Sequence, residues 1–116
     1  QEFDLKQRTK NFALRIIKLF SSLPKSQEAQ IIGKQVLRSG TSVGAQYREA
    51  CRSRSNSEFI SKMQSSLQEL DETAYWLELL VDGELVGAAK LAELQKETDE
   101  LTAIFVSSVK TARLKK

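Results

Sequence analysis

Residues 35–80 read QVLRSGTSVGAQYREACRSRSNSEFISKMQSSLQELDETAYWLELL, and this stretch decides the fold. Its first half has a helical period. Ala29, Ile32, Gly33, Val36, Gly40, Val43, Tyr47 and Ala50 fall on one face of a helix over about residues 27–52. Two glycines on that face cost about 1 kcal/mol each relative to alanine. Gly33 and Gly40, with Gly44 beside them, are therefore read as the place where a second helix comes unusually close. Flanking the face is an uncharged polar row, Gln35, Ser39, Ser42 and Gln46, at spacings of four, three and four. An exposed row would carry charges, so these groups are expected to be satisfied across a helix–helix contact. On the far side stand Lys34, Arg38, Arg48 and Arg52, with the small Thr41 and Ala45 between them. Three uses fit this basic row: a solvated face, pairing with acids of the next helix or of a neighbouring subunit, or arginine forks on phosphate oxygens.

The second half is a helix over about 56–82. Phe59, Met63, Leu67, Leu70, Ala74, Leu77 and Val81 form its stripe. Ser55 and Glu58 fit a reciprocal capping box at its start. Gly83 suits the left-handed residue that follows its end. Tyr75, Trp76 and Leu79 point away from the stripe, and two aromatics beside a leucine on an outer face read as a subunit contact.

Working outward, Leu5, Phe12, Ile16, Leu19, Phe20 and Leu23 share a face of a first helix over about 3–22. Pro24 interrupts it and Ser26 caps the next helix. A fourth helix over about 87–114 turns Leu94, Leu101, Ile104, Phe105 and Ala112 inward. Three short connections make neighbours antiparallel. The expectation is one all-α domain over 1–116, an up-down-up-down four-helix bundle roughly 40 Å long.

Composition narrows the chemistry. With no histidine, imidazole acid–base catalysis is excluded. Cys51 is the only cysteine, so neither a disulfide within the chain nor a Cys/His metal site exists. Cys51 itself reads as a small core residue on the apolar flank of its helix. Glu69 and Glu72 share a side, as do Glu93 and Glu97, and a solvated acidic face is the expectation there. No phosphate-binding glycine loop is present. No cofactor and no enzyme activity are called for. No apolar run spans a bilayer, and the charged start lacks a signal peptide's apolar core, so a cytoplasmic location with no membrane partner is expected. Charge is strongly uneven: residues 1–33 carry a net +3, 34–67 +4, 68–100 −8 and 101–116 +4. Such a chain attracts nucleic acid with one surface or binds a copy of itself head to tail. The basic tail Lys110, Arg113, Lys115 and Lys116 suits a helix C-terminus and adds to any such footprint.

The segment Gln35–Ala50, with Arg52, Ser55, Glu58 and Phe59, the run Glu72-Thr73-Ala74-Tyr75-Trp76-Leu77-Glu78-Leu79-Leu80, and Leu23-Pro24-Lys25, resembles the bacterial four-helix-bundle proteins encoded in intervening sequences of large-subunit ribosomal RNA genes. Gln46 stands where asparagine is common in that family, a departure that keeps an amide. The accessory variability proteins of diversity-generating retroelements share the fold family. The resemblance implies a homopentameric barrel of four-helix bundles. It also implies that some members bind nucleic acid through basic surfaces and that the retroelement members partner a reverse transcriptase. No catalytic motif is shared.

The leading expectation is a non-enzymatic oligomer, itself its first partner, that binds RNA or DNA electrostatically through Lys34, Arg38, Arg48 and Arg52. The alternative is an oligomeric scaffold or protein adaptor with no nucleic-acid role.

Overall fold

Four helices account for most of residues 4–115, the residues described by the computed structural model: α1 (Leu5–Ser21), α2 (Gln27–Cys51), α3 (Asn56–Asp82) and α4 (Ala88–Arg113). No strand occurs among the described residues. The expected start of the first helix, near residue 3, lies outside them. Residues 4–115 measure 50 Å by 21 Å by 21 Å. The longest helix alone accounts for about 40 Å at 1.5 Å per residue. The connections and helix ends at both extremities add the rest.

Local chemistry sets the helix boundaries. The Asp4 carboxylate accepts from the Gln7 amide at 3.1 Å, the Ser26 hydroxyl from Ala29 at 3.3 Å, and the Ser55 hydroxyl from Glu58 at 3.1 Å. Each satisfies an amide that the first helical turn leaves without a partner. The capping box at Ser55 forms only in part: the Glu58 carboxylate reaches the Arg54 amide at 3.1 Å, one residue upstream of the expected donor.

The end of α3 departs from expectation. Gly83 has φ −79°, and the left-handed residue is Glu84 at φ 61°. The Glu84 amide donates to the Val81 carbonyl, and the Leu85 amide to that of Leu80, both at 2.9 Å. This is a Schellman closure with Glu84 as its left-handed residue. It places Leu85 against the core. Had the glycine taken the left-handed position, the closure would fall one residue earlier and Glu84 would take the place of Leu85.

The core runs the length of the rod through Phe12, Ile16, Val36, Val43, Met63, Leu70, Leu77, Leu80, Leu91, Leu101 and Phe105. The two flanks of α2 are built differently. Toward α1 the glycines permit close approach. A methyl group at Gly40 would stand 2.7 Å from Ile16 Cγ1, and one at Gly44 3.0 Å from Thr9 Oγ1. Toward α3 the seam is polar and buried. The Ser39 and Thr73 hydroxyls meet at 2.7 Å, and Ser66 donates to the Val43 carbonyl at 2.8 Å. Cys51 is exposed rather than a core residue. It sits in the last residue of α2, where Ala50 already fills the buried position.

Candidate nucleic-acid interface

The four residues of the basic row do not share one environment. Arg38 is engaged within its own chain: Nη1 donates to Glu69 Oε1 at 3.1 Å and Nη2 to Glu72 Oε1, with Nε 3.4 Å from Gln35 Oε1. Those hydrogen bonds, the one to Glu72 foremost, hold the guanidinium proton more firmly than usual. Lys34, Arg48 and Arg52 are exposed and form no ion pair. Fourteen helical positions separate Lys34 from Arg48, about 21 Å along α2. The structure therefore groups Arg48 with Arg52, leaves Lys34 alone, and assigns Arg38 to the α2–α3 seam.

Topology adds residues that single-helix reasoning missed. An antiparallel bundle collects the start of α1, the end of α2, the start of α3 and the end of α4 at one extremity. Cut across the middle of each helix, that half (residues 4–15, 40–68 and 101–115) holds eleven lysines and arginines against three carboxylates. The other half (16–39 and 69–100) holds six against eleven. The three carboxylates of the basic half are already engaged. Asp4 caps α1, Glu58 binds the Arg54 amide, and Glu49 accepts from Lys62 Nζ at 2.9 Å. Lys6, Lys10, Arg54, Lys110, Arg113 and Lys115 thereby join Arg48 and Arg52. Pairing the helix ends in sequence would have revealed this grouping.

Two grooves open on the basic half. One, of about 380 Å³, runs between α1 and α2 over a floor of Thr9, Ala13, Thr41, Gly44 and Ala45, flanked by Lys10 and Arg48. The other, of about 670 Å³, lies between the start of α3 and the end of α4. In the same half the Tyr47 ring packs 5.6 Å from that of Phe105, and burial, aided by neighbouring Cys51, pushes its hydroxyl up to about 12.

The polar row is satisfied unevenly. Ser39 bonds across to Thr73, as the spacing predicts for a helix contact. Ser42 instead donates to its own helix, at the Arg38 carbonyl. The Gln46 Oε1 atom is buried with no partner.

The aromatic end of α3 keeps an outward face. Tyr75 is 54% exposed, its ring 5.2 Å from that of Trp76. Trp76 and Leu79 are half-buried, and the Trp76 indole N–H is buried without an acceptor. Ile31, which the sequence reading did not single out, is 55% exposed. Its position opposite the inner face of α2 was the available signal.

Among the described residues no group of three or more potential metal ligands occurs, and no helix is long and apolar enough to cross a membrane. Arg8 holds Glu97 (2.8 Å) and Glu100 (2.9 Å), tying α1 to α4 as Arg38 ties α2 to α3.

This architecture has relatives. The model of the 23S rRNA-intervening sequence proteins matches residues 1–107. The chain belongs to this family. A solved structure from Bacteroides thetaiotaomicron VPI-5482, described as a protein with unknown function from the S23 ribosomal protein family, is similar at 37% identity and a TM-score of 0.85. The alignment covers 90% of this chain and 97% of that one. No curated protein matches the chain. The family of 23S rRNA-intervening sequence proteins thus accounts for the four-helix fold, while the relative's own description leaves its function open.

Proposed function

We propose that this protein binds nucleic acid electrostatically, as a non-enzymatic bundle, through its basic half. One observation carries the reading: that half holds eleven cations against three carboxylates, and each of the three has a partner within the chain. Arg48 and Arg52, with Lys6, Lys10 and Arg54, supply phosphate contacts, and Lys34 extends the footprint along α2 into the other half. Arg38 contributes little, because its guanidinium is held by Glu69 and Glu72. No element here reads base edges in a groove, so binding is steeply salt-dependent and sequence-tolerant. The test is fluorescence anisotropy with labelled RNA and DNA at low salt, on the wild type and on Lys34→Gln/Arg48→Gln/Arg52→Gln. The reading expects tight binding that this triple variant weakens. Absent binding, or binding the variant leaves unchanged, rejects it.

A second reading concerns assembly. Exposed Tyr75 and Ile31 favour self-association through Tyr75, Trp76 and Leu79. A homopentamer is the form the family resemblance favours, and an accessory role beside a reverse transcriptase is its most specific extension. Light scattering at micromolar concentration checks the first: a monomer mass removes the interface role of these three residues. Co-purification with a reverse transcriptase encoded nearby checks the second.

A further inference from the structure

We infer that the groove between the start of α3 and the end of α4 seats a single-stranded stretch of nucleic acid. This rests on the electrostatic reading above and adds a site and a strand class to it. The groove measures about 670 Å³, within the usual range for ligand clefts. Its lining includes Asn56, Phe59, Ile104, Ser108, Thr111 and Lys115. No carboxylate and no α1 residue line it.

Three features fit a single strand. First, Phe59 and Ile104 are half-buried and offer an apolar floor with an aromatic ring. An unstacked base can settle on such a floor, whereas a duplex keeps its bases stacked inside and presents only its phosphate ridge. Second, the polar groups are ready to bond. The Asn56 side-chain N–H donates to the Ala112 carbonyl at 2.7 Å, which fixes the amide and leaves its oxygen open as an acceptor. Thr98 and Thr102, earlier on α4, donate to carbonyls four residues back. Ser108 and Thr111 make no such bond, so their hydroxyls remain available. Third, the electrostatics have one sign. Lys115 lines the groove, Lys110 and Arg113 share the same last turns of α4, and Arg54 stands in the connection leading into α3. A second copy of this chain, which the exposed Val106 and Leu114 at this end would also meet, is distinguished by the mass measurement below.

The experiment compares a labelled 12-nucleotide oligouridine with an RNA duplex of equal length by anisotropy at low salt. Thr111→Glu places a charge in the groove at an exposed position. Gln64→Glu, also exposed and on the same half but absent from the groove lining, is the control. Thermal melting confirms that both fold. Thr111→Glu should weaken single-strand binding by about tenfold or more, the scale of one stacked base, with duplex binding changed far less. Gln64→Glu should weaken both strands slightly and equally. Equal loss on both strands in Thr111→Glu, or wild-type binding that favours the duplex, overturns the groove assignment and leaves the electrostatic reading standing. A wild type that binds neither strand removes both. A lower oligomer mass in Thr111→Glu by light scattering identifies the groove as a contact between copies and overturns the assignment as well.

Discussion

The half of the rod that holds the start of α1 and the end of α2 carries eleven cations against three carboxylates; the other half carries six against eleven. Both halves share one continuous core, so the contrast is not a matter of folding. It lies in what the surface charges do. In the acidic half, Glu69 and Glu72 hold Arg38, while Glu97 and Glu100 draw Arg8 across the boundary. In the basic half the few carboxylates are spent on caps and on Lys62, and the cations stand in excess. Internal pairing alone does not favour such segregation, because surface ion pairs are worth little and like charges repel. A polyanion at the basic half would offset that repulsion.

The comparison breaks most clearly on binding. Arg48→Gln/Arg52→Gln should weaken binding of labelled RNA by about tenfold or more, the scale of two lost charge-assisted contacts. Lys18→Gln/Lys96→Gln, the same loss of charge from the acidic half, should leave the anisotropy curve nearly unmoved. Equal effects from the two doubles would dissolve the distinction between the halves.

Gly40 lies where the halves meet, and its substitution asks whether they fold as one. A methyl group there meets the inner carbons of Ile16, a branched side chain packed in the core. Overpacking should outweigh the helix propensity gained, and Gly40→Ala should lose about 1–2 kcal/mol in urea unfolding, through a single transition. At Gly33 a methyl group would meet a terminal methyl of the buried Leu23 and the Phe20 ring at 3.1 Å; the methyl end gives way more readily than the Ile16 side chain, so Gly33→Ala should cost less than Gly40→Ala. Two separate transitions in Gly40→Ala would mean the halves are independent units.

Smaller effects mark each half singly. In the acidic half, Glu84 at φ 61° occupies a conformation that glycine adopts without strain. Glu84→Gly should raise stability by about 1 kcal/mol. In the basic half, the Tyr47 hydroxyl is pushed up to about 12 from the usual 10, so its folded value lies above its unfolded one. The neutral phenol therefore contributes stability that is complete below pH 10 and lost as pH rises from 10 to 12. Tyr47→Phe should lose less stability than the wild type over that window, read as the change in melting temperature with pH.

Much of the fold was legible because periodicity and caps are local. The α3 stripe, Ser26 and Ser55 all follow from spacing, and the glycine face of α2 announced a close neighbour that proved to be α1. The misses needed tertiary information. Glu84 rather than Gly83 takes the left-handed position because Leu85 must reach the core. Cys51 is exposed because Ala50 fills the last inward position of its helix. Arg38 could be separated from Arg48 only once the α2–α3 register brought Glu69 and Glu72 beneath it. The basic half was split over four segments of sequence and became one surface only through the antiparallel order of the helices. The groove at Phe59 was invisible for the same reason.

The most direct measurement is the salt dependence of single-stranded RNA binding by the wild type and by Lys34→Gln/Arg48→Gln/Arg52→Gln. Each lost phosphate contact should flatten the plot of log affinity against log salt by about 0.7, so the triple variant should lower the slope by about 2. A wild-type slope near zero, or one that the triple variant leaves unchanged, would contradict the assignment of phosphate contacts to Arg48 and Arg52 of the basic half and to Lys34 beyond it.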